Sequence, residues 1–183
     1  MKRIRIVLIG VAFALTGLFA TAPTAMAGDA LIIDRAVANS QAALAASCGS
    51  GTLIQSYPLY SKVYPSTKIA ELDIYYSTAN GGTNTGCLVH VGAAWGVALD
   101  TGVFIWKCAS YYNCNGVDPF GGGWNAGDAG TYAYYAGPVS VTGTASRCVA
   151  LLGHVLDPYN RLRYSEIVAT GVGCAATPTV SRF

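Results

Sequence analysis

Six cysteines constrain this chain of 183 residues more than any other feature of its sequence. An even number of cysteines in an exported chain indicates disulfide bonds, and a zinc site is the competing interpretation. The sequence has no C-x-x-C pair and only two histidines, so we predict no metal site. Three disulfides are therefore expected among Cys48, Cys87, Cys108, Cys114, Cys148 and Cys174.

The first two of these cysteines flank a predicted three-stranded meander. Its strands are expected over Thr52–Tyr57, Ile69–Ser77 and Cys87–Val91, with a hairpin loop of turn-forming residues over 79–86. The first and third strands of an up-down-up meander start at the same end of the sheet, so Cys48 and Cys87 can meet. One face of the second strand is predicted to carry the alternate residues Ala70, Leu72, Ile74 and Tyr76.

The remaining cysteines follow the same geometry. Cys148 opens a strand, and Cys174 follows the strand that returns antiparallel to it, which brings the two together. Cys108 and Cys114 close a small loop of their own. The predicted pairs are Cys48–Cys87, Cys108–Cys114 and Cys148–Cys174. An alternative disulfide pairing joins Cys48 to Cys148 or Cys174. It would follow if the N-terminal strand lay beside the C-terminal hairpin.

Low charge and abundant glycine, threonine, serine and tyrosine are typical of an extracellular all-β domain. Val97–Lys107 is expected to form one bent strand or a hairpin about Asp100, and Asn115–Gly130 a long glycine-rich loop. Thr131–Gly143 is predicted to be a strand that bends, or lies at a sheet edge, at Pro138. We predict a single antiparallel β-sandwich or barrel-like domain.

The N-terminal residues indicate an export signal. A basic start is followed by an apolar segment over 6–20 and by Ala25-Met26-Ala27, a small-residue pattern that signal peptidase cleaves. We expect a signal peptide over 1–27, a helical or loosely held segment over 28–47, and the disulfide-stabilised β domain over 48–183. The protein would then be secreted to the cell exterior, either free or retained on a spore or cell wall.

Charge and motifs exclude several partners. Removal of residues 1–27 would leave eight basic and nine acidic residues, a net charge of −1, and no apolar span. Neither nucleic acid nor a membrane is therefore a predicted partner. Gly121–Ala126 fits G-x-G-x-x-A, but no predicted strand leads directly into it and no helix follows, so no nucleotide is expected. No serine lies in a G-x-S-x-G motif.

Two histidines and one acidic loop are the remaining candidates for chemistry. His90 is predicted to face solvent, on the strand face opposite the cysteine and its neighbouring valines. His154 could pair with Asp157. A calcium loop would use Asp118, Asn125 and Asp128, whose spacing matches no EF-hand. We favour two surface histidines and predict that the protein is not an enzyme and has no catalytic residues and no cofactor.

Aromatic side chains are the stronger functional signal. Five of them lie in or beside loops and one strand and are candidate ligand-binding residues: Tyr111, Tyr112, Trp124, Tyr132 and Tyr134. In an extended strand Tyr132 and Tyr134 would share one face, and Tyr135 would take the other. Flat rings can stack on sugars or adhere to an insoluble surface, whereas half-buried sheet residues with wet hydroxyls are the plainer interpretation.

Four short segments follow one another along the chain: CGSG from Cys48, YYSTANGGTNTGCLVHV around Cys87, TYAYYAGPVSV from Thr131 and RCVALLG around Cys148. Together they resemble the spore-associated protein A family of small exported actinobacterial proteins, and YYAGPV is the most specific of them. The resemblance extends from Cys48 to Cys174. The chain differs from the family in Gly86, which stands in place of an asparagine, and in the missing Lys-Trp after Cys148.

The resemblance implies association with spores or the cell exterior and supplies no catalytic residues. We therefore expect a secreted, non-enzymatic protein with a structural or adhesive role at the spore or cell surface. The alternative is a carbohydrate- or cell-wall-binding module that uses its exposed aromatics, with a cell-wall or spore-surface polymer as its partner. A secreted hydrolase is the third hypothesis.

Overall fold

The structure, a computed structural model, describes residues 48–109, 114, 123–174 and 178–183, and nine strands lie within these ranges. In chain order the strands are β1 (Thr52–Tyr60), β2 (Lys68–Ser77), β3 (Thr83–His90), β4 (Leu99–Lys107), β5 (Ala126–Tyr132), β6 (Tyr135–Thr142), β7 (Val149–Leu156), β8 (Tyr164–Val172) and β9 (Thr179–Arg182). The first sheet has the order β1-β2-β3-β6 and the second sheet the order β5-β4-β7-β8-β9, all antiparallel. The predicted all-β sandwich and its initial meander are confirmed. The predicted loop over 79–86 is wrong at its end, because β3 begins at Thr83, so Cys87 lies within the strand and not at its start.

The main core lies between the two sheets, because successive side chains of a strand point to opposite faces. Val103 and Ile105 of β4 and Leu151 of β7 supply the layer from the second sheet, and Leu72 and Leu88 supply the layer from the first. All five side chains are fully buried. Burial of one such side chain contributes about 1.5–3 kcal/mol, so this layer holds the two sheets together.

All three predicted disulfides are confirmed, and the exchanged pairing is not found. The Cα–Cα distances are 6.1 Å for Cys48–Cys87, 4.6 Å for Cys108–Cys114 and 5.1 Å for Cys148–Cys174. These values lie within the range of about 4.4–6.8 Å that a disulfide tolerates. Three disulfides in one domain indicate that the protein folds in an oxidising environment.

The N-terminal predictions concern residues outside the described ranges. These are the signal peptide over 1–27 and the helical or loose segment over 28–47. Among the residues that the structure does describe, no helix is both long enough and apolar enough to cross a membrane.

The side chains of β3 point in the opposite directions to those predicted. Leu88 and His90 point into the space between the sheets, and His90 is fully buried. Cys87 lies on the outer face of the first sheet, where Trp95 and Tyr135 pack against its disulfide. The prediction that His90 faces solvent is therefore wrong. Its error was to place the disulfide in the main core, whereas the disulfide covers the outside of the sheet.

His90 joins the two sheets through hydrogen bonds. Its Nε2 lies 2.8 Å from Oγ1 of Thr101 on β4, and its Nδ1 lies 3.3 Å from the carbonyl oxygen of Ala133. Its backbone N–H donates to the carbonyl oxygen of Tyr134 at 2.8 Å. Burial lowers the pKa of the imidazole, against the opposing effect of the hydrogen bond to Ala133. The neutral ring therefore acts as a structural joint.

The segment Thr131–Gly143 is not one bent strand, and that prediction is wrong. Tyr132 ends β5 in the second sheet, Tyr135 begins β6 in the first sheet, and the chain crosses between the sheets over residues 133–134. The prediction for Pro138 is confirmed, because β6 is an edge strand and its register with β3 shifts beside the proline.

Asp128 of β5 holds this crossing in place. Its carboxylate accepts hydrogen bonds from the hydroxyl group of Tyr132 and, at 2.7 Å, from the backbone N–H of Gly137 on β6. Tyr132 packs against the main core, whereas Tyr135 packs against the disulfide on the outer face of the first sheet. The two tyrosines therefore belong to strands of different sheets.

Strand β4 resolves the alternatives left for Val97–Lys107. It passes through Asp100 without a turn, paired with β5 on one side and with β7 on the other, so the strand interpretation is right and the hairpin is wrong. The predicted loop Asn115–Gly130 is wrong at its C-terminal end, where β5 begins at Ala126. Residues 115–122 of that loop lie outside the described residues.

Replacement of His90 by alanine should destabilise the fold. The variant leaves a cavity and deprives Thr101 of its hydrogen bond to the imidazole. We therefore expect the free energy of unfolding to fall by about 2–4 kcal/mol. The unfolded chain binds a proton at His90 below about pH 6.5, whereas the folded chain resists it, so the loss should shrink as the pH falls. Urea denaturation at several pH values measures both effects.

Leu162 provides the control for this experiment, because its side chain is 92% exposed. Leu162→Ala should leave the urea midpoint unchanged at every pH. A His90→Ala protein as stable as the wild type would contradict the role of His90 as a joint between the sheets.

Asp73 is a buried carboxyl group on the outer face of the first sheet. It lies opposite Cys87 in the register of β2 and β3, and its side chain is 4% exposed. Burial raises the pKa of Asp73 to about 6, although a side-chain hydrogen bond from Ser56 lowers it. The fold therefore favours the protonated carboxyl group.

We expect Asp73→Asn to stabilise the protein at neutral pH and to change little in acid. The folded pKa lies above the unfolded value, so stability is highest below about pH 4 and is lost as the pH rises towards 6. The side chain of asparagine does not ionise, so the variant keeps this part of the free energy of unfolding, which is on the order of 1–3 kcal/mol. Urea midpoints of the two proteins at about pH 3.5 and 7.5 test this. An equal effect at both pH values would refute it.

Candidate functional site

Four ring side chains form a continuous row on the outer face of the second sheet. This row, the aromatic strip, consists of Trp124, Phe104, His154 and Tyr164. Ring centroids lie 4.8 Å apart for Trp124 and Phe104, 6.0 Å for Phe104 and His154, and 5.6 Å for His154 and Tyr164. The four rings come from the segment before β5 and from β4, β7 and β8, so the strip crosses neighbouring strands.

Two glycines let the middle rings lie against the backbone. Gly127 of β5 is the cross-strand partner of Phe104, and Gly102 of β4 is the partner of His154. A Cβ atom on either glycine would overlap the partner's ring. Each ring therefore occupies the space above a glycine of the next strand, and the two ring planes differ by only 28°. The row is therefore nearly flat only at its centre, because the ring of Trp124 is tilted by 35° to Phe104 and the ring of Tyr164 stands at 79° to His154.

One end of the strip is anchored and the other is open. Trp124 contacts Trp106 with ring centroids 4.6 Å apart, and Trp106 is 2% exposed. Both belong to a small second core on this face that also contains cysteines of two disulfides. Tyr164 ends the strip on the other side, where its side chain is 40% exposed.

Two carboxylates flank the open end of the strip. The hydroxyl group of Tyr164 donates to Oδ2 of Asp100 at 2.6 Å, and this hydrogen bond raises the pKa of Tyr164. Burial lowers the pKa of His154 and outweighs the opposing effects of Asp100 and Glu166. His154 is therefore neutral at about pH 7, and the two carboxylates make this end of the strip negative.

The candidate residues predicted from the sequence do not come together. Trp124 belongs to the strip, whereas Tyr132 packs against the main core. Tyr134 lies in the crossing between the sheets, beside Trp95 with ring centroids 5.0 Å apart, and is 45% exposed. The other two predicted residues, Tyr111 and Tyr112, lie outside the described residues.

Three members of the strip were missed by the sequence prediction. Phe104 alternates with the inward-facing Val103 and Ile105, and this pattern alone indicates an outer-face ring. His154 and Tyr164 carry no comparable signal, because they join the strip only through the pairing of β7 with β4 and β8.

The proposed pairing of His154 with Asp157 is wrong. Asp157 is fully buried beyond the end of β7, and its carboxylate accepts hydrogen bonds from the hydroxyl group of Ser61 at 2.8 Å and from the backbone N–H of Lys62 at 2.7 Å. Burial acts to raise the pKa of Asp157, but its hydrogen bonds prevail and hold the pKa below its ordinary value. Asp157 therefore fastens the β1–β2 and β7–β8 loops together.

The calcium alternative has no ligand set among the described residues. The carboxylate of Asp128 is occupied at the crossing, and Oδ1 of Asn125 accepts the backbone N–H of Lys107 at 2.6 Å. Asp118 lies outside the described residues. Across the part of the chain that the structure describes, no three histidine, cysteine or acidic side chains are grouped to hold a metal ion.

A comparison of the chain with family models, with curated proteins and with solved structures finds no match. The geometry of the strip is therefore the basis for a functional interpretation. Flat rings beside carboxylates are suited to stacking on a ligand and to accepting its hydrogen bonds.

Gly127→Ala tests whether the flat strip depends on the missing side chain. The new methyl group would overlap the ring of Phe104, which must lift away from the sheet, at a cost of about 1–3 kcal/mol in the free energy of unfolding. We expect a lower melting temperature and an altered near-ultraviolet circular dichroism spectrum from the displaced rings. An unchanged spectrum together with wild-type stability would contradict the described ring position.

Proposed function

We propose that the protein is a non-enzymatic adhesive protein of the cell exterior that binds a neutral polysaccharide across the aromatic strip. The observation that carries the proposal is the row of rings from Trp124 to Tyr164, which lies nearly flat over glycines at its centre. A pyranose ring has a C–H face that packs against aromatic rings and hydroxyl groups at its edge that form hydrogen bonds. A strip across several strands can contact consecutive sugars of a polymer.

The charge around the strip favours a neutral ligand. Asp100 and Glu166 are acceptors for sugar hydroxyl groups, and hydrogen bonds to a charged acceptor are stronger than neutral ones. The same carboxylates repel phosphate and carboxylate groups of an anionic polymer. His154 adds no compensating charge, because burial lowers its pKa.

An exterior location is supported by two independent features. Three disulfides suit an oxidising compartment, and the N-terminal residues have the pattern of an export signal. The resemblance to the spore-associated protein A family agrees with a role on spores or the cell wall. An adhesive role needs a surface rather than a catalytic pocket, and the strip is a surface.

Retention on insoluble chitin or cellulose tests the proposal, and Tyr164→Ala is the decisive variant. Loss of this ring should weaken binding by about two- to tenfold. Wild-type retention should persist at about 1 M salt, because stacking does not depend on charge attraction. Absence of retention on every neutral polysaccharide would refute the proposal, and release of soluble sugar would favour the hydrolase hypothesis instead.

Two other exposed tyrosines are matched controls. Tyr159 and Tyr134 are each 45% exposed, close to the 40% of Tyr164, but neither belongs to the strip. Tyr159→Ala and Tyr134→Ala should bind like the wild type. A loss with Tyr134→Ala but not with Tyr164→Ala would move the binding surface to the crossing between the sheets.

A further inference from the structure

Exposed apolar side chains cluster at one end of the sandwich, on the loop between β1 and β2 (residues 61–67) and the loop between β7 and β8 (residues 157–163). Leu162 is 92% exposed and Tyr64 is 52% exposed. The rings of Tyr64 and Tyr159 meet edge to face with centroids 4.8 Å apart, so the two loops present one surface. Together with the exposed side chain of Val63, these three residues form the loop tip.

Hydrogen bonds hold the loop tip in this position. Asp157 fastens the two loops together, and Oγ of Ser61, one of its donors, accepts the backbone N–H of Tyr64 at 3.0 Å. In the other loop, Oδ1 of Asn160 accepts the backbone N–H of Leu162 at 3.1 Å. A preformed surface binds its ligand without the entropy cost of ordering a loop. A cluster of apolar side chains that is held in water in this way indicates a contact surface.

Three cations lie in the same two loops. Lys62, Arg161 and Arg163 are exposed, and none of them forms an ion pair with a described residue. The one carboxylate within residues 61–67 and 157–163 is that of Asp157, which is buried. Three positive charges and one negative charge give these loops a net charge of +2. The carboxylates beside the aromatic strip lie on β4 and β8, outside the two loops.

Apolar and positive side chains together favour an anionic lipid surface as the ligand. Lysine and arginine pair with lipid phosphates, and leucine and tyrosine enter the boundary between headgroups and acyl chains. A neutral polysaccharide would leave the cations unpaired, and a soluble polyanion would leave the leucine in water. Of these three ligands, the anionic bilayer uses both parts of the surface.

We propose that the loop tip binds the surface of an anionic lipid bilayer. Leu162 and Tyr64 enter the headgroup region, and the three cations pair with phosphate groups. The prediction that excluded a membrane partner rested on the net charge of the chain, which does not record where the charges lie. The inference does not rest on polysaccharide binding by the aromatic strip.

Sedimentation with lipid vesicles tests the proposal. Vesicles of phosphatidylcholine with about 30% phosphatidylglycerol should bind the protein at least about tenfold more strongly than vesicles of phosphatidylcholine alone, because each cation is attracted to the anionic surface. This binding should weaken by at least about threefold at about 1 M salt, unlike retention on polysaccharide. Equal binding to both kinds of vesicle, or no binding at about 1 mM lipid, would overturn the proposal.

Leu162→Ala is the decisive variant. It should weaken vesicle binding by about three- to tenfold without a change in stability, because alanine buries less apolar surface in the bilayer. Leu53→Ala is the matched control, since Leu53 is 50% exposed at the opposite end of β1, and it should bind vesicles like the wild type. Arg161→Gln combined with Arg163→Gln should remove the preference for anionic vesicles. Vesicle binding that either the Leu162 variant or the double arginine variant leaves unchanged would refute the proposed surface.

Two other partners of the loop tip are outcomes of the same experiments. Dimerisation that Leu162→Ala abolishes, measured by analytical ultracentrifugation, would assign the loop tip to a second copy of the chain. Binding of soluble polyphosphate as tight as binding of anionic vesicles would assign it to a soluble polyanion. Either result would overturn the assignment to a bilayer.

Two tyrosine variants separate this proposal from the proposed function. Tyr164→Ala should bind vesicles like the wild type even though its retention on polysaccharide is reduced. Tyr159→Ala should show the reverse, with weaker vesicle binding and wild-type retention. Loss of both kinds of binding in Tyr164→Ala would place both ligands on one surface and overturn the assignment to the loop tip.

Discussion

The alternation of side chains along β4 is the constraint on which the rest of the molecule depends. This strand has a hydrogen-bonded neighbour on both edges and large side chains on both faces. Val103 and Ile105 enter the core between the sheets, while Phe104 and Trp106 form the outer surface that Trp124 covers. One alternating pattern therefore specifies both the core of the sandwich and the position of the strip. A shift of the register by one residue would turn the core side chains outward and the outer side chains inward.

The edge strand β5 illustrates how the position of a ring can oppose the stability of a strand. Glycine in a strand is unfavourable, because it gives up more backbone entropy and packs no side chain. Gly127 nevertheless leaves the space that Phe104 occupies, and Gly102 does the same for His154. Asp128, in the same strand, tethers the crossing to β6. The pairing of β5 with β4 and the bonds of Asp128 thus stabilise a strand whose sequence was interpreted as a loop.

Local signals, namely the order of antiparallel strands and one short loop between cysteines, were sufficient for the disulfides and the meander. Cys148 and Cys174 lie beside the neighbouring strands β7 and β8, Cys108 and Cys114 close the short loop, and the meander brings Cys48 to β3. These signals were insufficient for His90, whose orientation depends on which face of β3 meets the second sheet. Alternation defines two faces but not the direction in which each points. Of the strip, only Trp124 was predicted, since His154 and Tyr164 are contributed by strands whose order the sequence does not specify.

The proposed function rests on the charge around the aromatic strip as much as on its rings. Asp100 and Glu166 lie beside the open end of the strip, and burial lowers the pKa of His154, so the imidazole adds no positive charge there. Under the proposal, stacking on the rings supplies the attraction, and the two carboxylates disfavour an anionic polymer. The rings would thus provide affinity for the face of a sugar, whereas the carboxylates would determine which polymers are accepted.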